Sequence, residues 1–337
     1  MTETSICIIG AGVTGLSLLL LLESRSYPLE NVTIIDPQFD GGDLARKWTT
    51  TQSNTPWSKS NDTLRQTCPG VKIPAEFLER DQNESCPLAD LARMIRMTAA
   101  SALSRVNRIH AIATTASFDP VTNIWSVAHK GGVVKSKKIV LAVGSECKSL
   151  DLEVSSIPLE NALDANRLSY LVKPGHRVIV VGTMHSGTLV MENLSKIGAK
   201  VTGLYNTAKP FYWDRDGEYD GVKGEAASIA DAITRGEKPQ IQLVHVQDIS
   251  NVFRACSKAD WVIYAMGFYC RQSIRLDMAG EQLPLTYDGM TGRLDKCQTA
   301  WGFGIGFPNR APDGIHWDVS VAAFLKHMEV QLPAIIS

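Results

Sequence analysis

Apolar residues fall along this chain in two recurring patterns: short β-branched runs that stop at glycine, and longer stretches with helical spacing. The first run, ending in Ile8-Ile9, predicts a buried strand that breaks at Gly10-Ala11-Gly12-Val13-Thr14-Gly15. Leu16-Ser17-Leu18-Leu19-Leu20-Leu21-Leu22 follows as a helix apolar on all sides, closed by Glu23 and Arg25 and too short to span a bilayer. Such a helix is expected between a sheet and its neighbours. Val32-Thr33-Ile34-Ile35 predicts a second strand, with Asp36 at its end. The whole pattern then returns: the strand Val178–Val181, the turn Gly182-Thr183-Met184-His185-Ser186-Gly187, a helix from about Ser186 to Ile197 with Gly198 as its stop, and a strand over Lys200–Tyr205. Two more apolar runs also end in glycine, Ile139–Gly144 and Asp260–Gly267, the second an echo of the first.

Between these units the pattern is weaker. Residues 37–85 are polar and rich in Gly, Thr, Ser, Asn and Pro, too long for an ordinary connection, so a functional loop is expected there, ordered around Trp48 and Trp57. Pro87–Met97 has helical spacing, and Ile109–Thr115, Ile124–His129 and Lys138–Val143 read as strands, the last two joined at Gly131-Gly132. Further on, a helix is expected over about Glu225–Arg235, a strand over Ile241–Val246, a hairpin at Tyr287–Arg293, and a last helix over about Val319–Val330. Strands alternating with helices predict an α/β fold with two Rossmann-like halves.

Each glycine of the first turn has a chemical reason. Gly10 permits the tight strand-to-helix turn, Gly12 lets a pyrophosphate approach the backbone, and Gly15 lets the helix pack closely on the sheet. The backbone from Ala11 through Val13 and Thr14 then offers N–H groups at the positive end of a helix. Asp36, followed by Pro37, is placed to accept hydrogen bonds from both hydroxyls of an adenosine ribose and disfavours a 2′-phosphate. The first turn therefore suits FAD or NAD rather than NADP. At the second turn Thr183, His185 and Ser186 open the helix, Ser186 as a cap and His185 within reach of a phosphate. No acid ends the following strand and Lys209 lies beyond it, which favours NADPH over NADH. A scaffold without a nucleotide fits the same residues. The glycine-rich segment Asp220–Ala227 is either a clamp on substrate or nicotinamide or an ordinary loop, and Tyr212, Trp213 and Tyr219 line a pocket or cover the sheet.

Composition narrows the choice of partners. The 337 residues suffice for about two domains, 44% of them are apolar, and the net charge of −1 with a pI near 6.7 argues against nucleic acid or an anionic membrane as the main partner. Seven cysteines are scattered without a Cys-x-x-Cys or metal-ligand spacing, so neither a redox disulfide nor a metal is expected, and the cytoplasm is the expected compartment.

Taken together, Gly10–Gly15, Asp36, Leu141-Ala142-Val143-Gly144, Gly182–Gly187 and Tyr264-Ala265-Met266-Gly267 resemble the two-dinucleotide-binding flavoproteins, the superfamily of flavin-containing monooxygenases and thioredoxin-reductase-like enzymes. Gly41-Gly42, Trp48 and Ser53-Asn54-Thr55-Pro56 look like the flavin-containing monooxygenase branch. The resemblance implies a discontinuous FAD-binding domain, residues 1–150 and 286–337, around an NAD(P)-binding domain at 151–285. It places Gly42, Trp48, Gly144, Gly306 and Asp318 at the flavin and makes Asn54 the catalytic residue that stabilises an oxygen adduct. Met184 stands where the monooxygenases have glycine. The activity implied is that of an FAD-dependent oxidoreductase, with NADPH as reductant and oxygen inserted into a small molecule. The alternatives are a reductase or oxidase without oxygen insertion and a non-catalytic flavin- or nucleotide-binding regulatory protein. A homodimer is the expected assembly.

Overall fold

A computed structural model of the chain describes residues 2–211, 222, 224–311, 314 and 317–337. Strand β1 (Thr2–Ile9) leads through the glycine turn into α1 (Val13–Ser24), and β2 (Val32–Ile35) returns parallel to β1. Helix α1 is apolar on every side because it is covered on every side: Leu16 and Leu18 to Leu22 are all buried.

The excursion after β2 holds more regular structure than its composition suggests. It forms α2 (Asp43–Arg46), β3 (Gln52–Pro56), α3 (Trp57–Thr67), α4 (Ala75–Leu78), β4 (Ser85–Pro87), α5 (Leu88–Thr98) and α6 (Ala100–Arg105). The inner face of α3 is mostly polar, with Ser60, Asn61, Thr63 and Thr67 buried beside Trp57 and Leu64. Two of them are hydrogen-bonded nearby: the Asn61 amide donates to Gln82 Oε1 at 2.8 Å and the Thr67 hydroxyl to the Thr63 carbonyl at 2.9 Å. Ser53–Pro56, expected as a loop, belongs to a strand, because β3 pairs antiparallel with β4.

The expected strand Ile109–Thr115 is two strands in different places. β5 (Asn107–Ile109) pairs with β2, and β6 (Ala113–Asp119) opens an antiparallel meander with β7 (Ile124–His129) and β8 (Gly132–Leu141). β8 lies parallel to β1, and β9 (Ser145–Cys147) follows it.

Residues 147–268 form a second compact unit. It contains α7 (Leu159–Leu163), α8 (Ala165–Leu171), β10 (Arg177–Val181), α9 (His185–Ile197), β11 (Lys200–Tyr205), α10 (Glu225–Thr234), β12 (Ile241–His245), α11 (Ile249–Cys256) and β13 (Trp261–Tyr264). Its sheet, in the order β12-β11-β10-β13, is parallel throughout. Gly198 ends α9 in the left-handed conformation.

The remaining chain completes the first unit, residues 1–146 and 269–337. It passes through β14 (Phe268–Cys270), β15 (Arg275–Met278), β16 (Glu281–Leu283), β17 (Ala300–Gly302), β18 (Asn309–Arg310), β19 (Trp317–Asp318) and α12 (Val321–Ile336). The sheet runs β16-β15-β6-β7-β8-β1-β2-β5, and β17 also pairs with β8. Return to the first unit thus comes at Tyr269 rather than near residue 286, because β15 pairs with β6 and Leu276 and Leu283 enter the core around Trp125 and Phe307. Among the described residues no helix is long and apolar enough to cross a membrane.

Leu19→Ala leaves a cavity in the fully covered α1 and is expected to cost about 3 kcal/mol of unfolding free energy, whereas Phe253→Ala on the exposed side of α11 costs under about 0.5 kcal/mol. Urea unfolding of the two variants checks the contrast.

Candidate functional site

Strand register assembles the site. Parallel pairing sets Ile35, Ile9, Leu141 and Gly302 level across β2, β1, β8 and β17. The residues just beyond them, Asp36, Gly10, Ala142 and Phe303, therefore leave the sheet side by side at its carboxyl edge. Backbone hydrogen bonds carry the register one step further: Gly10 N to Ile35 O at 2.9 Å, Ala142 N to Ile9 O at 2.8 Å, and Phe303 N to Leu141 O at 3.0 Å. β1 is the strand at which the order reverses, the place where α/β sheets open a crevice for ligands.

The glycines of the first turn separate into two kinds. A side chain on Gly10, at φ +106°, would overlap the Ala142 carbonyl, and one on Gly15 would overlap the Gly10 carbonyl, so the fold itself demands both glycines. Gly12 is different. A methyl group there would meet nothing nearer than Gly41 O and Gly42 Cα, both at 3.8 Å, an ordinary contact. Gly12 precedes α1 without any side-chain cap, and the first turn of α1 carries no acid, so the positive end of the helix is not answered locally. Packing alone does not account for glycine at position 12. Of its neighbours Val13 is buried, while Thr14 meets the Gly302–Pro308 segment at Gly304. Asp36 accepts three backbone N–H bonds at 2.8 Å each, from Ala11 on Oδ2 and from Gln38 and Phe39 on Oδ1. Oδ1 carries two of them, which leaves Oδ2 with capacity for a hydroxyl. Pro37, next to it, is exposed.

Three further segments close on this turn. Gly41 forms a bridge with Gly12, and Gly42 packs against the Gly12 Cα. Gly306 abuts the Gly144 carbonyl so closely that a side chain would overlap it. Arg271, invisible to the sequence analysis, joins two of these segments. Its Nη1 donates to Val143 O at 3.2 Å, its Nη2 donates to Ser145 O at 3.1 Å and to the Asp43 carboxylate, and its backbone N–H donates to Gly144 O at 3.2 Å. Gly304 and Asp43 were missed with it; only the Gly-x-Gly spacing of residues 302–306 carries a signal. Trp48 is half-buried and its backbone N–H reaches Asp43 O at 3.4 Å. Asn54 lies in β3, and its side chain is outside the described residues. Asp318 lies in β19, where it accepts from Asn309 Nδ2 at 3.3 Å, and Ser320 caps α12 two residues later by accepting from Ala323 N at 3.1 Å. The helix thus starts at Val321 rather than Val319, and its cap already engages an N-terminal amide.

The second unit repeats the first turn in detail. Gly182 N donates to Leu204 O and Ala265 N to Val181 O, both at 2.8 Å, as Gly10 and Ala142 do in the first unit. Side chains on Gly182 and Gly187 would overlap the Ala265 and Gly182 carbonyls. Two positions break the repeat. Met184 takes the place of Gly12 ahead of α9, and Tyr205, edge-on to His245 at 5.1 Å, takes the place of Asp36. α9 starts at His185, so Ser186 sits inside the first turn and is not its cap. Thr183 is buried, its hydroxyl donating to Pro210 O, and Lys209 is exposed. Tyr212, Trp213, Tyr219, Asp220, Gly221 and Lys223 lie outside the described residues, as does His316.

Burial controls the titrating groups. It pushes the thiols of Cys7 and Cys270 up to about 12 and those of Cys68 and Cys86 up to about 11, and it raises Cys256 and Cys297 as well, so none of these six is a thiolate near neutrality. Among the described residues no group of three His, Cys, Asp or Glu is placed to hold a metal ion. His327 on α12 is buried edge-on to Phe303 at 5.2 Å with Nε2 3.2 Å from Met290 O. Burial lowers its pKa despite the Met290 carbonyl and the carboxylates of Asp288 and Asp318.

Gly12→Ala is expected to leave the melting temperature within about 2 °C, while Gly15→Ala lowers it by about 5 °C or more, since only the second would overlap backbone. Thermal scans of the ligand-free protein test this. A histidine with a lowered pKa in the folded state binds its proton more readily when unfolded, so its contribution to stability is full above about pH 6.5 and is lost as pH falls through the folded value. Unfolding free energy measured from pH 7 to 5 should accordingly fall more steeply for the unaltered protein than for His327→Gln.

No protein-family model and no curated sequence matches the chain. Solved structures do. The bacillithiol disulfide reductase of Staphylococcus aureus matches with a TM-score of 0.64 at 13% identity, over 99% of this chain and 98% of the reductase. A cyclohexanone monooxygenase mutant from Rhodococcus sp. Phi1, solved with NADP+ bound, matches with a TM-score of 0.58 at 14% identity, over 100% of this chain and 85% of the enzyme. Thioredoxin reductase of T. acidophilum matches with a TM-score of 0.56 at 13% identity, over 100% and 98% of the two chains. From end to end, this chain has the fold of these enzymes, with a second α/β unit, parallel throughout, inserted in sequence into a first whose sheet is mixed.

Proposed function

We propose that this protein is an FAD-dependent oxidoreductase that holds FAD in its first unit. The observation that carries the reading is Gly12, a glycine the packing does not need, at the unanswered end of α1 beside Asp36. These residues fit the group: the α1 N-terminus receives the pyrophosphate and Oδ2 of Asp36 the ribose, while Gly41-Gly42, Gly144 and Gly306 let the neighbouring segments pack closely around the turn. FAD supplies the redox chemistry, and the chain binds and orients it.

The solved structures of this fold include reductases and a monooxygenase. Insertion of oxygen into a small soft nucleophile or amine is our preferred reading, with Trp48 and Asn54 beside the flavin. The six cysteines kept protonated by burial argue against a relay through the protein's own dithiol. NADPH is proposed as reductant, held at the α9 N-terminus by His185, Ser186 and Lys209. It fits less closely than FAD, because Met184 keeps a pyrophosphate off the backbone and Tyr205 offers no carboxylate to a ribose. Those two positions favour, as the second reading, an oxidase whose flavin is reduced by its own substrate.

Anaerobic titration of the FAD-loaded protein with NADPH and then NADH, followed at the flavin absorbance, separates the readings. Bleaching by NADPH is expected; no bleaching by either nucleotide overturns the NADPH role. Met184→Gly should tighten NADPH binding about tenfold, and Gly12→Ala should weaken FAD binding by about tenfold or more without loss of fold.

A further inference from the structure

Four segments meet at the first turn, and ordinary packing accounts for how three of them stay together. Gly304 lies on Thr14, Gly306 on Gly144 and Gly10 on Ala142, while the fourth segment touches the turn through the Gly12–Gly41 bridge. The loop that carries Gly41 and Gly42 is held differently. Arg46 bonds to Asp40 Oδ1 at 2.7 Å, to Asp43 Oδ1 at 3.4 Å and to Gln38, all inside the loop, so these contacts fix its shape rather than its position. Ala92 of α5 packs behind Gly41. On the other side, the polar tie to the end of β8 is the Asp43–Arg271 pair, with side chains 17% and 25% exposed.

The shape of arginine suits this place. Its guanidinium is a planar fork of five N–H donors, and here the fork spans the carbonyls of Val143 and Ser145 on either side of Gly144, reaches Asp43, and turns Nε toward Glu146 at 3.7 Å. Gly144 is thereby held at φ +74°, with its own carbonyl accepting from the Arg271 backbone. One side chain thus fixes the Gly144 turn and, through Asp43, the position of Gly42. Both segments face the turn to which FAD is assigned above, and the inference rests on that assignment.

We infer that Arg271 is a positioning residue for the flavin site: its fork clamps the Gly41–Gly42 loop to the Gly144 turn, so the seat for FAD stands formed before the cofactor arrives. Without the clamp, binding has to order the loop as well, and affinity falls by that cost. Lysine keeps the charge but gathers its three N–H donors on one rotating nitrogen in place of the planar fork.

The test is FAD binding to the full-length apoprotein, measured by quenching of FAD fluorescence well below the melting temperature, for the unaltered protein, Arg271→Lys, Arg271→Gln, Asp43→Asn and the Asp43→Asn/Arg271→Gln double variant. Arg271→Gln is expected to raise the dissociation constant about tenfold to a hundredfold, Arg271→Lys less. Asp43→Asn should cause a similar loss, and the double variant should bind no worse than the weaker single variant, because both break one clamp. A purely structural role lowers the melting temperature and leaves the dissociation constant of the folded protein within twofold; that result overturns the inference, as do losses that multiply in the double variant. If Arg271→Gln does not fold, Asp43→Asn, isosteric and uncharged, breaks the same pair from the other end and decides by the same criterion. If the unaltered protein binds no FAD, the cofactor reading and the clamp both fall; if it binds FAD and the variants match it, only the clamp does.

Discussion

Everything at the carboxyl edge of the first sheet depends on parallel pairing in fixed register. Ile35, Ile9, Leu141 and Gly302 come from four distant stretches of sequence, and pairing through β1 and β8 sets them on one line. A slip of one residue in any of the pairings would turn that strand's side chains to the opposite face and separate its turn from the others. The register is secured where it is least negotiable: β1 and β8 are buried on both faces at Ile8, Ile9, Val140 and Leu141, with α1 packed on one side and the Trp125–Phe307 cluster on the other.

The chain contains its own control for what a dinucleotide requires. Two turns have the same hydrogen bonds and the same overlaps at Gly10 and Gly182 and at Gly15 and Gly187, so sterics alone preserve those positions in both. The pair Gly12 and Asp36 is present only once, and neither has a steric counterpart in Met184 and Tyr205. Features shared by the turns belong to the fold; those found in one alone are not demanded by it.

Much of this was legible in the sequence, for reasons that can be named. The strand-to-glycine runs and the helices after them rest on short-range periodicity, and α9, β11 and β7 lie within one residue of where the pattern puts them. Helix α3 was hidden because its buried face is mostly Ser, Asn and Thr, with only Trp57 and Leu64 apolar, too few to mark a stripe. The return at Tyr269 was misplaced because β15 and β16 carry no mark of which sheet they join. Arg271 was beyond reach altogether: its partner Asp43 is 228 positions away, and nothing local in either stretch announces the other.

The discontinuity of the first unit also bears on the order in which the protein is made. Residues 1–146 emerge from the ribosome with the Ile139–Leu141 end of β8 and the outer edge of β6 still unpaired, and with the core lacking Trp301, Phe303, Leu325 and Met328. The second unit is continuous and all its strand pairs are internal, so it can complete its sheet while the first waits. For that interval the newborn chain presents an open sheet edge and an uncovered apolar surface to any strand it meets.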